Sequence, residues 1–170
     1  MLGGFKPLAK MTPEQQFEYI NNSYFYRGLV INTFVNLERT IDSHLADEFI
    51  TNKSKRVKFY QIVLDRLTFE AKRTALKAIL DRKAIAKGFV KTGGNSYPHG
   101  KLLEDIRYLQ DKRNNFAHYT MMIPTEDKGY VIGIAEFRDK FKPMWFTSED
   151  IQLLIDKIDL TIEDLNSYFK

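Results

Sequence analysis

Apolar residues return at intervals of three and four through most of this chain, and that rhythm admits few folds other than packed helices. One stripe falls at Val30, Phe34, Leu37, Ile41, Leu45 and Phe49. A helix start precedes it at Thr12-Pro13-Glu14-Gln15: Thr12 can cap, proline suits the first helical position, and Gln15 completes a capping-box spacing. The first helix is therefore expected from about 13 to 50, with Asn21-Asn22-Ser23 as a candidate break. After the polar connector Thr51-Asn52-Lys53-Ser54, a second helix from about 57 to 87 carries Leu64, Leu67, Ala71, Ala75, Ala78 and Ile79. The segment 91–100, with Gly93-Gly94-Asn95 and Pro98, reads as a loop. A third helix, from about 101 to 119, carries Leu102, Ile106, Leu109, Phe116 and Ala117. The last opens at Ser148, with Glu149 and Asp150 at its positive end, and runs its stripe through Ile151, Leu154, Ile158, Ile162, Leu165 and Phe169.

One segment breaks the rhythm. Tyr130 to Phe137 is β-prone and lies between Asp127-Lys128-Gly129 and the charged turn Arg138-Asp139-Lys140. A small β-hairpin or extended insertion is expected there, within 121–146, between helices 3 and 4. Four long helices with short connections predict an all-α, up-and-down four-helix bundle in a single domain, 1–170. A chain of 170 residues can bury a sizeable core alone or complete one by dimerising.

Composition narrows the chemistry. The absence of Cys removes disulfides, thiolate metal ligands and a Cys nucleophile together, and suits a reducing cytoplasm. The N-terminal stretch Met1–Gln16 has no apolar core of the signal-peptide kind, and no apolar run reaches the ~20 residues that span a bilayer. A cytoplasmic protein with no membrane partner is expected. Net charge is +4, but unevenly spread: from Lys53 to Lys91 twelve Lys or Arg face three acids, a local +9 that leaves −5 elsewhere. A basic middle of this kind predicts a polyanionic partner, with Arg82, Lys83 and Lys87 as candidate RNA-binding residues. The plainer reading is that these lysines solvate one face of a long helix.

Familiar cofactor and nucleophile signals are missing. Lys91-Thr92-Gly93-Gly94 lacks the glycine spacing and the Gly-Lys pair of a phosphate loop, and no Gly-x-Ser-x-Gly elbow occurs. His44, His99 and His118 stand far apart without ligand spacing, so neither a zinc site nor a cofactor is expected.

What remains is Asp111 to Tyr119, whose centre is Arg113-Asn114-Asn115-Phe116-Ala117-His118. A structural reading accounts for it: His118 in a last helical turn bonds open carbonyls, Arg113 pairs with Asp105 or Asp111, and the asparagines mark fraying. A chemical reading also exists. Five consecutive polar residues, Asp111 to Asn115, interrupt an amphipathic helix, and polar groups on an inward face need partners. Arg and His are the pair that phosphodiester cleavage needs without a metal: a guanidinium forks onto phosphate oxygens, and an imidazole moves the proton of a 2′-hydroxyl or of a leaving 5′-oxygen. On an ideal helix, positions five apart lie ~140° around the axis and ~7.5 Å along it. Arg113 and His118 therefore do not share a face, whereas Asn114 and His118 do. Two copies meeting across a dimer axis make a better site than one.

Arg113-Asn114-x-x-x-His118 resembles the Arg-x(4–6)-His motif of HEPN domains, helical bundles that are mostly metal-independent ribonucleases and often carry a polar residue directly after the Arg. The resemblance covers the chain in its order of helices and six residues in motif. It implies a homodimer cleaving single-stranded RNA, with phosphate binding by Arg113, proton transfer by His118 and orientation by Asn114. It also implies a toxin or phage-defence effector with an antitoxin protein as partner. Toxins of this family paired with a nucleotidyltransferase often carry Tyr two residues after the His; here Tyr119 is adjacent and Thr120 stands second. The competing expectation is a non-catalytic dimeric helical regulator or interaction module of the mannitol-repressor kind.

Overall fold

The computed structural model describes residues 11–90, 97–124, 129–136 and 141–170. Among them the chain forms five α-helices: α1 (Pro13–Phe49), α2 (Lys53–Ile62), α3 (Phe69–Ala86), α4 (Gly100–His118) and α5 (Ser148–Ser167). A sheet of strands β1 (Thr120–Met122), β2 (Tyr130–Glu136) and β3 (Lys142–Thr147) lies between α4 and α5 in sequence. No helix among the described residues is long and apolar enough to cross a membrane.

This corrects the expected four-helix bundle, and the corrections have local causes. The predicted second helix is two. Asn52 caps α2 by accepting the Lys55 N–H (3.1 Å), so the supposed connector is helical from Lys53. A 3-10 turn at Leu64–Arg66 and an extended Leu67 then interrupt the helix, and Thr68 caps a new one through its Oγ1, which accepts the Ala71 N–H (3.2 Å). The buried face of α3 is consequently Lys72, Leu76, Ile79 and Leu80 rather than the alanine stripe. The hairpin is corrected to a three-stranded antiparallel sheet, because Thr120–Met122 and Lys142–Thr147 both pair with β2. The two charged turns expected around β2 and the glycine loop at 93–95 fall largely or wholly outside the described residues.

The other boundaries follow their caps. Thr12 and Gln15 close the expected capping box, with Thr12 N–H donating to Gln15 Oε1 (2.9 Å), and α1 continues unbroken past Asn21-Asn22-Ser23. At α5 the box sits one residue earlier than expected: Thr147 Oγ1 accepts the Asp150 N–H (3.2 Å) while Asp150 Oδ2 accepts the Thr147 N–H (2.8 Å).

The chain divides into two compact units, one taking the chain up to Asn32 with Arg113–Ile155, the other Thr33–Lys112 with Asp156–Lys170. In the first, β2 is the central strand, with Ile132 and Ile134 fully buried. Gly133 pairs with Trp145 across the strands, and a Cβ at 133 would overlap the indole, so only glycine fits. Tyr130 stacks on the same indole (5.5 Å between centroids) and Phe116 packs on Phe146 (5.0 Å). The first part of α1 is tied down by polar bonds to backbone: Tyr19 donates to Met122 O (3.2 Å), Ser23 to Val131 O (3.1 Å) and Arg27 to Ala117 O (2.7 Å).

The second unit has a helical core in which Phe34, Leu37 and Ile41 of α1 are buried along with Leu76 and Leu80 of α3 and Ile106 and Leu109 of α4. One position in it is ionic. Lys72, buried at 4% exposure, donates to Glu38 (2.7 Å) and to Asp42 (2.8 Å), which satisfies a charge that burial alone would make very costly.

Candidate functional site

α4 stays helical through His118, and β1 begins two residues later. Side chains of this last turn, with the end of β2, line a cleft of about 500 Å³: Asn114, Asn115, His118, Tyr119, Thr120 and Glu136. His118 is exposed and has no hydrogen bond to a described residue, so its imidazole faces solvent in the cleft. Asn114 lies one turn back on the same wall, as the spacing of four requires.

Arg113 is half-buried and stands beside the cleft rather than in its lining. Its Nη1 donates to Asn114 Oδ1 at 3.3 Å, a long bond that uses one of the five guanidinium N–H groups. The structural reading had Arg113 paired with Asp105 or Asp111. Asp105 is instead held by Lys101 (3.0 Å) and Lys157 (2.9 Å), and among the described residues no carboxylate pairs with Arg113. The regular helix keeps Arg113 and His118 on different faces, so one copy brings together Asn114 and His118 and leaves Arg113 at the rim.

The turn itself is braced from outside. Arg27 of α1 donates to the Ala117 carbonyl at 2.7 Å, meeting one of the acceptors that a helix end leaves open. Sequence reasoning missed Arg27, and it missed Glu136. The Glu136 carboxylate lines the cleft and accepts the Tyr119 hydroxyl at 2.9 Å. It arrives there through the pairing of Thr120 with Ala135, a register that no local sequence signal announces.

The basic stretch is more neutralised than its count suggests. Arg56 pairs with Asp47, Lys72 with Glu38 and Asp42, Arg73 with Glu70, Lys77 with Asp81 and Lys83 with Glu48. Arg82 is exposed on α3, but ~100° or more around the axis from Lys83 and Lys87, so the three candidates do not form one patch. All three belong to the second unit, whereas the cleft belongs to the first. Among the described residues no group of three or more His, Asp or Glu side chains is placed to share a metal ion.

Comparison of the chain with protein-family models, with curated protein sequences and with solved structures finds no match in any of the three.

Proposed function

We propose that this protein is a metal-independent endoribonuclease that cuts single-stranded RNA with the side chains at the end of α4. The observation that carries the reading is the open cleft in which an exposed His118 shares a wall with Asn114, beside an Arg113 that no described carboxylate neutralises. In the proposed reaction His118 takes the proton of a 2′-hydroxyl and the 2′-oxygen attacks phosphorus. The bond to the 5′-oxygen breaks and that oxygen takes up a proton. The products are a 2′,3′-cyclic phosphate and a 5′-hydroxyl. Arg113 holds the phosphate oxygens as charge develops on them, and Asn114 orients the group in the cleft.

One imidazole serves one proton transfer at a time, and Arg113 stands at the rim. A second copy contributing its own Arg113 and His118 supplies both deficits, so a homodimer is part of the proposal. The chemistry is that of the HEPN ribonucleases, and the setting it fits is a cytoplasmic toxin or phage-defence effector restrained by an antitoxin protein.

A second reading rests on a different observation. Phe17, Tyr24 and Phe25 are all exposed along α1, a surface suited to a non-catalytic dimeric regulator or interaction module. One experiment separates the two: purified protein is incubated with mixed RNA in EDTA, wild type beside His118→Ala. Cleavage by the wild type alone supports the nuclease; intact RNA in both supports the module.

A further inference from the structure

The second unit holds a cavity that this chemistry does not use. It measures about 470 Å³ and opens where α3 ends, between that end, Pro98-His99 and Tyr168. Its size lies in the range of small-molecule sites.

The cavity is built by the way α3 stops. Gly88 adopts φ 85, a left-handed conformation natural to glycine, and its N–H donates to Ile85 O (2.9 Å). The Phe89 N–H reaches back to Ala84 O (3.0 Å), closing the helix on its own backbone and folding the Phe89 ring into the cavity lining. The opposite wall is equally determined. His99, 2% exposed, binds Asp81 through Nε2 (2.7 Å) and lies against the Tyr97 ring, while Tyr168 donates to Pro98 O (2.9 Å). His99 is thus a satisfied wall residue, not an open ligand.

Leu80, Ala84, Phe89 and Pro98 make the interior apolar. Among the described residues its charged lining residues are Lys83, in the last turn of α3, and Lys87, which caps that helix. The Lys83 ammonium is shared by Glu48 (3.1 Å) and the face of Phe169 (5.0 Å). The exposed Lys87 ammonium pairs with no carboxylate among the described residues. Asp81, which holds the wall residue His99, is already occupied by Lys77 and His99. An apolar pocket with, among the described residues, one uncompensated cation in its lining selects for charge as well as for greasiness.

We propose that this cavity binds a small amphiphilic anion: an apolar or aromatic body seated between Leu80, Ala84 and Phe89, and a carboxylate, sulfonate or phosphate on Lys87. The binding is independent of the α4 cleft.

The test uses the full chain and the fluorescent anion 8-anilinonaphthalene-1-sulfonate. The wild type should bind it saturably at one site, and His118→Ala should bind it unchanged. Lys87→Glu, at an exposed position, should weaken binding by about ten-fold or more, the scale of one charge-assisted contact. Ala84→Trp should abolish it by filling the cavity. Decanoate should displace the probe about ten-fold better than decanol, and adenosine monophosphate in a parallel arm tells an acyl body from a nucleotide one. Equal displacement by decanoate and decanol, or undiminished probe binding in Lys87→Glu, would overturn the proposal even if Ala84→Trp does not fold.

Discussion

α3 and α4 end in opposite ways. α3 closes through its own backbone, with a left-handed Gly88 and a Phe89 turned back onto Ala84, and the result is an apolar cavity. α4 runs directly towards a strand and borrows its closure from another element, the Arg27 guanidinium on the Ala117 carbonyl. Its last turn is left with its polar side chains pointing into an open cleft. A self-closed end suits holding a molecule; an end closed from outside keeps its side chains available for chemistry.

The largest effect expected is on rate at the α4 end. His118→Ala should slow RNA cleavage by roughly 10²–10⁴-fold, the usual cost of removing an acid–base group. Asn114→Ala should cost less, since it only orients. Neither should move the melting temperature, because neither side chain fills packed space. A large drop in melting temperature with no change in rate would erase the distinction between the two ends.

Arg27→Ala should come next. It strips the Ala117 carbonyl of its donor, which should cost about 1–3 kcal/mol in a denaturant melt and also slow cleavage, while leaving probe binding at the α3 end untouched. Gly88→Ala is its counterpart. Nothing crowds a Cβ at position 88, so the whole cost is the left-handed backbone, roughly 1–2 kcal/mol. Here probe affinity should fall and the cleavage rate should hold.

The smallest effect is in acid. Burial raises the pKa of the Asp81 carboxyl, but the hydrogen bonds from Lys77 and His99 outweigh it and hold it below the ordinary carboxylate range. Folded protein thus binds this proton less readily than unfolded chain does. The stabilisation is present above the unfolded value, about pH 4, and is lost as pH falls through the lower folded one. Asp81→Asn should remove that part of the acid-side decline in melting temperature. An identical acid profile for the two proteins would mean that Asp81 does not brace the cavity wall.

Three of the helices were legible because their signals are local. The capping box at Thr12, the stripe Leu102–Ile106–Leu109 and the acids at Glu149 and Asp150 each name an element without knowledge of its neighbours. The split between α2 and α3 was hidden because Leu64, Leu67 and Ala71 keep helical spacing across the break, although Leu67 is extended and partly exposed. The one cue was Thr68, whose cap is visible only once the helix is known to stop. β3 carries no alternating pattern to announce it and contains Pro143, which is tolerated because β3 lies at an edge of the sheet. Of the site, Asn114 and His118 could be put on one face from their spacing alone. Glu136 could not, since its position depends on pairing between Thr120 and Ala135.

The central claim is that RNA is cut at the α4 end by 2′-hydroxyl attack, and the chemistry of the cut ends tests it most directly. RNA of defined sequence is incubated with the purified protein in EDTA, and the fragment termini are assigned by mass spectrometry, with His118→Ala as control. The account predicts 2′,3′-cyclic phosphate and 5′-hydroxyl ends from the wild type and intact RNA from the variant. Intact RNA with the wild type, or fragments ending in 3′-hydroxyl and 5′-phosphate, would contradict it.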